Sequence, residues 1–253
     1  SVVFFVSEFA KKQFIHYQGL ESLSSKTRVV PNGVDTNTFR PVPAVQKVAL
    51  KKRLGFATTG SFLILFSGRI DEKKGIMHLV KALRFLPKYF HLIIAFPAMR
   101  ERQSLSHYQS LLSEINKLSL SKRVRFVEHP DHINQYYQIA DCTVLPSERE
   151  YFSLVILESF ASCTIFLGTS VGFIPEFLAG VDEGLIIKST NPSVIANKIA
   201  WVSRLTKKAR GAIIQSGMGK ARGFTWSLAT QAIVREILFL YNTVKTKSSI
   251  RYE

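Results

Sequence analysis

The sequence contains little cysteine and no long apolar run. Its 253 residues include two cysteines, Cys142 and Cys163, which are too few for a disulfide framework, and both lie in apolar runs typical of buried thiols. No stretch approaches the roughly 18 consecutive apolar residues that cross a bilayer, and the opening SVVFFVSEFAKK lacks the basic region of a signal peptide. We therefore expect a cytoplasmic protein without a membrane span.

Acidic residues are also scarce. The chain has 34 Lys and Arg against 18 Asp and Glu, a net charge of +16, which indicates an anionic partner. The basic clusters at 51–54, 121–125 and 206–210 are spread through helices and carry no aromatic RNA-binding signature, so we expect no nucleic-acid partner. Peripheral contact with an anionic membrane surface explains the charge at least as well, and nucleic-acid binding stays the less favoured rival.

Several catalytic motifs are absent. The six histidines form no HExxH motif, and no Cys/His spacing suggests zinc. There is no phosphate-binding Walker motif, no GxSxG and no GxGxxG. We therefore expect no metal site and no cofactor.

Short apolar runs alternate with longer amphipathic stretches from about residue 62 onward, as in sheets covered by helices on both faces. The candidate strands are 62–67, 91–96, 124–128, 142–146, 163–168 and 184–189. The candidate helices are 75–86, 104–118, 132–139, 153–162, 192–204 and a last helical stretch at 206–242. This rhythm predicts an α/β fold with a doubly wound parallel sheet.

The first 42 residues indicate a different unit. They contain a strand, a helix and a second strand, followed by the turn sequence PNGVD and a proline-rich linker. One βαβ piece cannot bury both faces of its own sheet, so we interpret it as a partial remnant of a second domain. The predicted division is 1–42 for this remnant and linker, 43–222 for the main domain, and 223–253 for a C-terminal helix and tail.

The loop after the first strand of the main domain carries convergent cations. Ligands of a doubly wound sheet bind at the carboxyl ends of its strands. There, Gly68 permits close backbone approach, and Arg69 and Lys74 can meet on one anion such as a diphosphate. A solvated charged loop is the alternative interpretation.

The loop after the fourth strand carries acids. Glu150 precedes the candidate helix at 153–162, and Glu158 lies within it on an apolar face, where a carboxylate needs ligand hydroxyls or a positive side chain. The backbone N–H groups near Ser153, Leu154 and Val155 form an open helix start suited to phosphate. The alternatives are a helix-dipole contact for Glu150 and a salt bridge for Glu158.

Two further loop features are expected to be structural and not functional. In the loop after the fifth strand, Gly172, Pro175 and Glu176 mark a turn and a helix cap. His129 and His132, in the loop after the third strand, are expected to form a turn.

The order of these pieces resembles the retaining glycosyltransferases of family 4, in which two Rossmann-like domains face across a cleft in the GT-B arrangement. The matching pieces are PNGVD with a following Phe (31–39), GRI…KG (68–75), AD-strand-PS (140–147), the E-x7-E pair at 150 and 158, GFIPE (172–176) and FTW (224–226). The match corresponds to the end of the acceptor-side domain followed by the donor-side domain.

The resemblance implies a role for each site residue. It implies that Arg69 and Lys74 hold the donor diphosphate, that Glu150 contacts the transferred sugar, and that Glu158 contacts the nucleotide ribose. It implies a metal-free reaction in which cationic side chains and the helix dipole meet the leaving-group charge. The implied catalytic residues are Glu150, Arg69 and Lys74. The implied donor site comprises Gly68, Arg69, Lys74, Glu150, Phe152, Ser153, Leu154, Val155 and Glu158.

The chain departs from that family at its glycines. Glu150-Tyr151-Phe152-Ser153 stands where the family has Glu-Gly-Phe-Gly, and Phe96-Pro97-Ala98-Met99 replaces a Gly-x-Gly. These departures favour the alternative of a non-catalytic nucleotide-sugar-binding or scaffold subunit. Sugar epimerases of the same fold remain a further alternative.

We expect the chain to be the donor-binding half of a glycosyltransferase that uses a nucleotide sugar, preferably UDP-linked, with retention. Truncation, a split subunit and a complete protein all stay open, and so does the acceptor. Apolar residues such as Phe4, Trp226 and Leu238 would be exposed, which predicts a partner domain or self-association and negligible transfer by the isolated chain.

Overall fold

Strands and helices alternate along residues 2–19, 21–98 and 102–249, which the computed structural model describes. The strands are β1 (Val3–Phe5), β2 (Thr27–Val29), β3 (Phe62–Ser67), β4 (Phe90–Phe96), β5 (Val124–Glu128), β6 (Cys142–Leu145), β7 (Ile165–Thr169) and β8 (Ile186–Ile187). The helices are α1 (Glu8–Gln18), α2 (Ala44–Arg53), α3 (Ile76–Leu83), α4 (Arg102–Lys117), α5 (Ile133–Ile139), α6 (Leu154–Ala161), α7 (Ile174–Leu178), α8 (Pro192–Ser203), α9 (Lys207–Ala221) and α10 (Trp226–Ser249).

The main sheet has six strands in the order β5-β4-β3-β6-β7-β8, and every neighbouring pair is parallel. The strand order reverses between β3 and β6, because the chain builds outward first on one side of β3 and then on the other. This is the 3-2-1-4-5-6 order of the Rossmann fold. The predicted doubly wound parallel sheet is confirmed.

The central strands are apolar on both faces because helices cover both faces. Along β3, Ile64 and Phe66 join the larger core cluster, whereas Leu63 and Leu65 join a second cluster on the opposite face. Successive side chains of a strand point to opposite faces, so a strand buried on both sides is a continuous apolar run. That is why FLILFS was recognisable from the sequence.

The N-terminal strands β1 and β2 form a separate two-stranded parallel sheet, with α1 between them in the chain. The Ser7 hydroxyl donates to the Tyr151 carbonyl at 2.8 Å, and the Phe9 N–H donates to Glu176 at 3.0 Å. An ion pair of 2.9 Å joins Arg28 at β2 to Glu236 on α10. The N-terminal unit is therefore fastened both to the main sheet's loops and to the last helix.

Two of the sequence motifs meet where α10 begins. The Val34 N–H donates to the Phe224 carbonyl at 2.9 Å. A Cβ at Gly33 would lie 2.0 Å from the Trp226 nitrogen, so only glycine lets the PNGVD loop approach the FTW segment this closely.

Some predicted boundaries were wrong for local reasons. The last strand contains only Ile186–Ile187, because Glu183–Leu185 form a 3₁₀ helix that the Asp182 side chain caps at the Gly184 N–H. The strand predicted from 163 begins at Ile165, since Cys163 has a positive φ of 60°. The helical stretch 206–242 is two helices, α9 and α10, separated by a turn at 222–225. Helix α2 was not among the candidates.

None of the described helices is long and apolar enough to cross a membrane.

Candidate active site

A cleft of about 290 Å³ opens at the carboxyl ends of β3, β4 and β5. Its lining residues are Ser67, Gly68, Ala95, Phe96, Pro97, His129, Pro130 and Ile133. His129 has a positive φ of 42° and its N–H donates to the Phe96 carbonyl at 2.7 Å, so it forms the expected turn. The cleft lies on the edge of the sheet where doubly wound folds bind ligands.

The loop after β3 packs directly on the loop after β6. Asp71 caps a short 3₁₀ helix (Glu72–Lys74) by accepting from the Lys74 N–H, and Gly75 follows in the left-handed conformation with φ 68°. A Cβ at Gly75 would lie 2.0 Å from the Pro146 carbonyl oxygen. The Glu148 N–H also donates to the Lys73 carbonyl at 2.8 Å. These backbone approaches hold the two candidate loops together.

Lys74 and Glu150 form the centre of the site. The Lys74 ammonium lies 2.6 Å from Glu150 Oε1, and Glu150 is only 7% exposed. The Ser147 hydroxyl donates to the same carboxylate oxygen at 2.9 Å, and Thr169 in turn donates to the Ser147 carbonyl. A buried carboxylate needs this kind of compensation. Two residues 76 positions apart in the chain are thus one charged pair.

Arg69 is not part of that pair. Its side chain is 67% exposed, and its one ion pair among the described residues is with Asp71 at 3.5 Å. An exposed pair of this kind contributes little stability, so the guanidinium is free to turn toward an anion.

Helix α6 begins beside this pair without a side-chain cap. Ser153 is the N-cap residue, yet its side chain caps no N–H, and its buried hydroxyl has no hydrogen-bond partner among the described residues. The first-turn N–H groups at Leu154 and Val155 therefore keep their donors for an anion. The Phe152 ring stacks on Phe173 at 4.3 Å and packs against the core, so its side chain is not directed at an anion beside α6.

Glu158 has a neutral partner, where the sequence suggested a ligand hydroxyl or a cation. The Tyr137 hydroxyl on α5 donates to Glu158 Oε2 at 2.5 Å. Burial raises the pKa of Glu158, and the hydrogen bond from Tyr137 opposes part of that rise. Oε1 has no hydrogen-bond partner within the described ranges, so one acceptor remains for a ligand.

Sequence reasoning missed three residues that build the site. Tyr137 lies in the buried second half of helix α5 and could have been suspected, because a buried tyrosine hydroxyl requires a partner. Ser147 stands three residues before Glu150, a spacing that allows the observed hydrogen bond. Gly172, with φ 58°, was interpreted as a turn residue alone, yet a Cβ there would lie 2.4 Å from the Glu150 carbonyl oxygen.

Across residues 2–19, 21–98 and 102–249, no group of three His, Cys, Asp or Glu side chains is arranged to hold a metal ion.

Solved structures share this fold over nearly the whole chain. Anabaena Alr3699/HepE in complex with UDP and glucose superposes with a TM-score of 0.83 at 22% identity, covering 94% of this chain and 62% of that one. The sucrose-phosphate synthase of Thermosynechococcus elongatus superposes with a TM-score of 0.81 at 24% identity, covering 95% of this chain and 59% of that one. The α/β fold and its parallel sheet are thus those of the GT-B glycosyltransferases.

Residues 50–217 match the family described as "Glycosyl transferases group 1", and the chain belongs to that family. It is 31% identical over 223 residues to the D-inositol 3-phosphate glycosyltransferase of Xylanimonas cellulosilytica, covering 83% of this chain and 50% of the relative. It is 32% identical over 221 residues to the enzyme of the same name from Frankia alni, covering 82% of this chain and 51% of the relative. The chain therefore spans about half the length of these curated relatives.

Proposed function

We propose that this chain is the donor-binding half of a retaining glycosyltransferase of family 4, which transfers a sugar from a UDP-linked donor. The observation that carries the proposal is the Lys74–Glu150 pair beside the uncapped start of α6, at the carboxyl edge of the sheet. Membership of the group 1 glycosyltransferases supports it. The names of the relatives and the UDP and UDP-glucose complexes of HepE are consistent with a nucleotide-sugar donor.

In this proposal the chain's own residues provide the electrostatics of transfer. Arg69 and Lys74 bind the donor diphosphate, together with the N–H groups at the start of α6. As the bond to the sugar breaks, negative charge develops on the leaving diphosphate, and these positive groups stabilise it without a metal ion. Glu150 accepts hydrogen bonds from sugar hydroxyls, and Glu158 accepts them from the ribose.

The Lys74–Glu150 pair has a consequence for donor binding. Because the ammonium already contacts a buried carboxylate, a bound diphosphate must share it with Glu150. When the donor binds, a phosphate oxygen pairs with Lys74, and a sugar hydroxyl donates a hydrogen bond to Glu150 in compensation. This coupling favours the complete nucleotide sugar as a ligand over inorganic phosphate.

The acceptor site lies elsewhere in this proposal. Residues 1–42 belong to the acceptor-side domain and linker, residues 43–222 to the donor domain, and residues 223–253 to a C-terminal segment whose helix α10 crosses back. The ion pair between Arg28 and Glu236 joins the first and last of these segments. The chain should bind a donor better than it transfers the sugar, because proximity of the acceptor supplies much of the rate.

Calorimetric titration with UDP, GDP and ADP in the presence of a chelator tests the proposal. UDP is expected to bind without a divalent ion. Loss of a charge-assisted contact costs on the order of 1.5–3 kcal/mol, so Arg69→Ala and Lys74→Ala should each weaken binding about tenfold or more. The neighbouring exposed Lys73→Ala is the matched control and should bind normally. Absence of binding, or equal affinity in all the variants, would contradict the donor site.

A non-catalytic nucleotide-sugar-binding subunit is the second candidate. It is favoured by Tyr151, which stands where the family has a glycine and whose carbonyl and ring contact Ser7 and Phe9 of the N-terminal unit. In the complete protein, Glu150→Ala should abolish turnover and keep nucleotide binding if the first proposal is right. A complete wild-type protein that binds the donor and never consumes it would favour the second.

A further inference from the structure

Glu158 depends on one side chain for its orientation. Its carboxylate is on α6, and the Tyr137 hydroxyl from α5 reaches it across the interface between these helices at 2.5 Å. Among the described residues, Tyr137 is the titratable group that faces Glu158, and no charged side chain contributes to the shift of its pKa. The direction in which Glu158 presents its free oxygen is therefore set by an uncharged hydrogen bond.

Tyr137 is itself held rigidly. The side chain is fully buried, and its ring meets Phe39 edge-on at 5.5 Å. Its backbone carbonyl accepts a hydrogen bond from the Thr164 hydroxyl at 2.6 Å, which ties α5 to the segment before β7. A ring fixed in this way cannot follow Glu158 if the carboxylate turns, so the tyrosine positions the glutamate.

The same hydroxyl also has a neighbour that lines the cleft. Ser67, which lines the cleft at the carboxyl end of β3, lies near that hydroxyl and opposes part of the rise in the pKa of Tyr137. Burial, then the neighbouring Glu158, raises the pKa of Tyr137 well above its usual value, so the hydroxyl keeps its proton and remains a donor. The Tyr137 hydroxyl thus lies between Ser67 at the cleft and the Glu158 carboxylate, to which it donates.

Packing does not explain the hydroxyl. A phenylalanine would fill the same part of the core, whereas a buried hydroxyl requires a hydrogen-bond partner. Here that partner is Glu158 Oε2.

We propose that Tyr137 is a positioning residue for ribose recognition: its hydroxyl holds Glu158 so that Oε1 accepts hydrogen bonds from the ribose hydroxyls of the donor. This inference rests on the proposed function, since it assigns a role within the donor site. Tyr137 does not touch the nucleotide and acts through Glu158 alone.

The test compares UDP with 2′,3′-dideoxy-UDP by calorimetry in wild type, Tyr137→Phe, Glu158→Gln and the double variant. A site built to pair hydroxyls discriminates against a ligand that lacks them, so the wild type should prefer UDP about tenfold or more. Tyr137→Phe should lose most of this preference, and it should have no additional effect in the Glu158→Gln background. Tyr136→Phe is the matched control, a neighbouring tyrosine on α5 without a bond to Glu158, and should discriminate like the wild type.

The pH profile separates positioning from a merely structural role. The preference for UDP needs the ionised carboxylate, so it should fall as pH falls through the pKa of Glu158. Without the hydrogen bond from Tyr137, burial raises that pKa further, and the midpoint in Tyr137→Phe should move to higher pH. A loss of core packing would lower the melting temperature and leave this midpoint where it is.

The outcomes distinguish the two proposals. If the wild type prefers UDP and Tyr137→Phe shows the same preference and pH midpoint, the positioning role is overturned while the donor site stands. If the wild type binds none of these nucleotides, the proposed function falls, and the role of Tyr137 falls with it.

Discussion

At the scale of single residues, Gly75 is the point where the two candidate loops touch. Its φ of 68° is unfavourable for other residues, and the space for a side chain is already taken by the Pro146 carbonyl. Both constraints act on the loop that carries Lys74. The position of the ammonium beside Glu150 therefore depends on a residue that has no functional group of its own.

Gly75→Ala is expected to destabilise the protein by on the order of 2 kcal/mol or more, because it adds a backbone clash to the strain of a positive φ. It should also weaken UDP binding, since the two loops must separate. Chemical unfolding and calorimetry measure the two effects. Gly60→Ala is the matched control: Gly60 has φ 71° with nothing within 4 Å of an added Cβ, so that variant reports the strain alone. Equal losses in the two variants would show that the Gly75–Pro146 approach is unimportant.

At the scale of elements, helix α2 is attached to the sheet by charges around Asp141. Asp141 Oδ2 accepts from the Leu63 N–H at 2.8 Å, and its carboxylate lies 3.7 Å from Lys47 and 4.0 Å from Lys51. The side chain of Lys51 is only 9% exposed. The Arg210 guanidinium of α9 donates to the Asp141 carbonyl at 3.0 Å. Asp141 thus compensates the charges of Lys47 and Lys51 on α2, a segment that the sequence analysis identified as a basic cluster but did not list as a helix.

Asp141→Asn should lower the free energy of unfolding by roughly 1–3 kcal/mol at neutral pH, because the nearly buried Lys51 and the partly exposed Lys47 lose their counter-charge. Burial already lowers the pKa of Lys47 from 10.5, and Asp141 opposes this, so the variant lowers the pKa of Lys47 further. At pH values below the pKa of Lys47 in the folded variant, the loss of stability is fully present. It decreases as pH rises from that pKa toward 10.5, where the lysine of the unfolded chain also loses its proton. Urea unfolding between neutral pH and about pH 10 should show the deficit narrowing.

Asp131→Asn is the control for that series, since Asp131 is exposed and has no ion pair within the described residues. Its stability should follow the wild type across the pH range. A deficit in Asp141→Asn that stays constant with pH would argue against the role of Lys47.

At the scale of the whole molecule, the last helix carries apolar side chains on its outer surface. Exposed positions on α10 are Trp226, Leu228, Val234, Ile237, Leu238, Phe239 and Tyr241. The exposure expected from the sequence is confirmed for Trp226 and Leu238, whereas Phe4 on β1 is half-buried, so that expectation was wrong. A concentration of exposed apolar side chains on one helix is typical of an interface.

The purified chain is therefore expected to self-associate, and light scattering after size exclusion should give a mass above that of one chain. Leu238→Glu, at a side chain that is 55% exposed, should shift the distribution to the monomer without lowering the melting temperature. Val45→Glu on α2, at an exposed apolar residue far along the chain from α10, should not. A monomeric wild-type chain that transfers sugar to an added acceptor at ordinary enzymatic rates would show that the proposed division between donor and acceptor sides is wrong.

The sequence by itself determined which segments form the main sheet. The strands at 62–67 and 124–128 have the predicted bounds, since their apolar and β-branched residues leave few other structures available to them. It was less informative at 184–189 and 163–168, where local turns at Asp182 and Cys163 shorten the strands. The candidate site residues Arg69, Lys74 and Glu150 could also be chosen in advance because they lie in loops that follow strands, and Glu158 because a carboxylate on an apolar helix face needs a partner.

Only the tertiary structure decided how those residues pair. Lys74 and Glu150 meet because Gly75 and Pro146 bring two loops into backbone contact, and Arg69 stays outside the pair. Glu158 has Tyr137 as its partner because α5 and α6 lie side by side on the sheet. Such pairings depend on how helices and loops pack against one another, and a local sequence pattern does not contain that information. The sequence therefore predicts which side chains are available, and packing selects which of them touch.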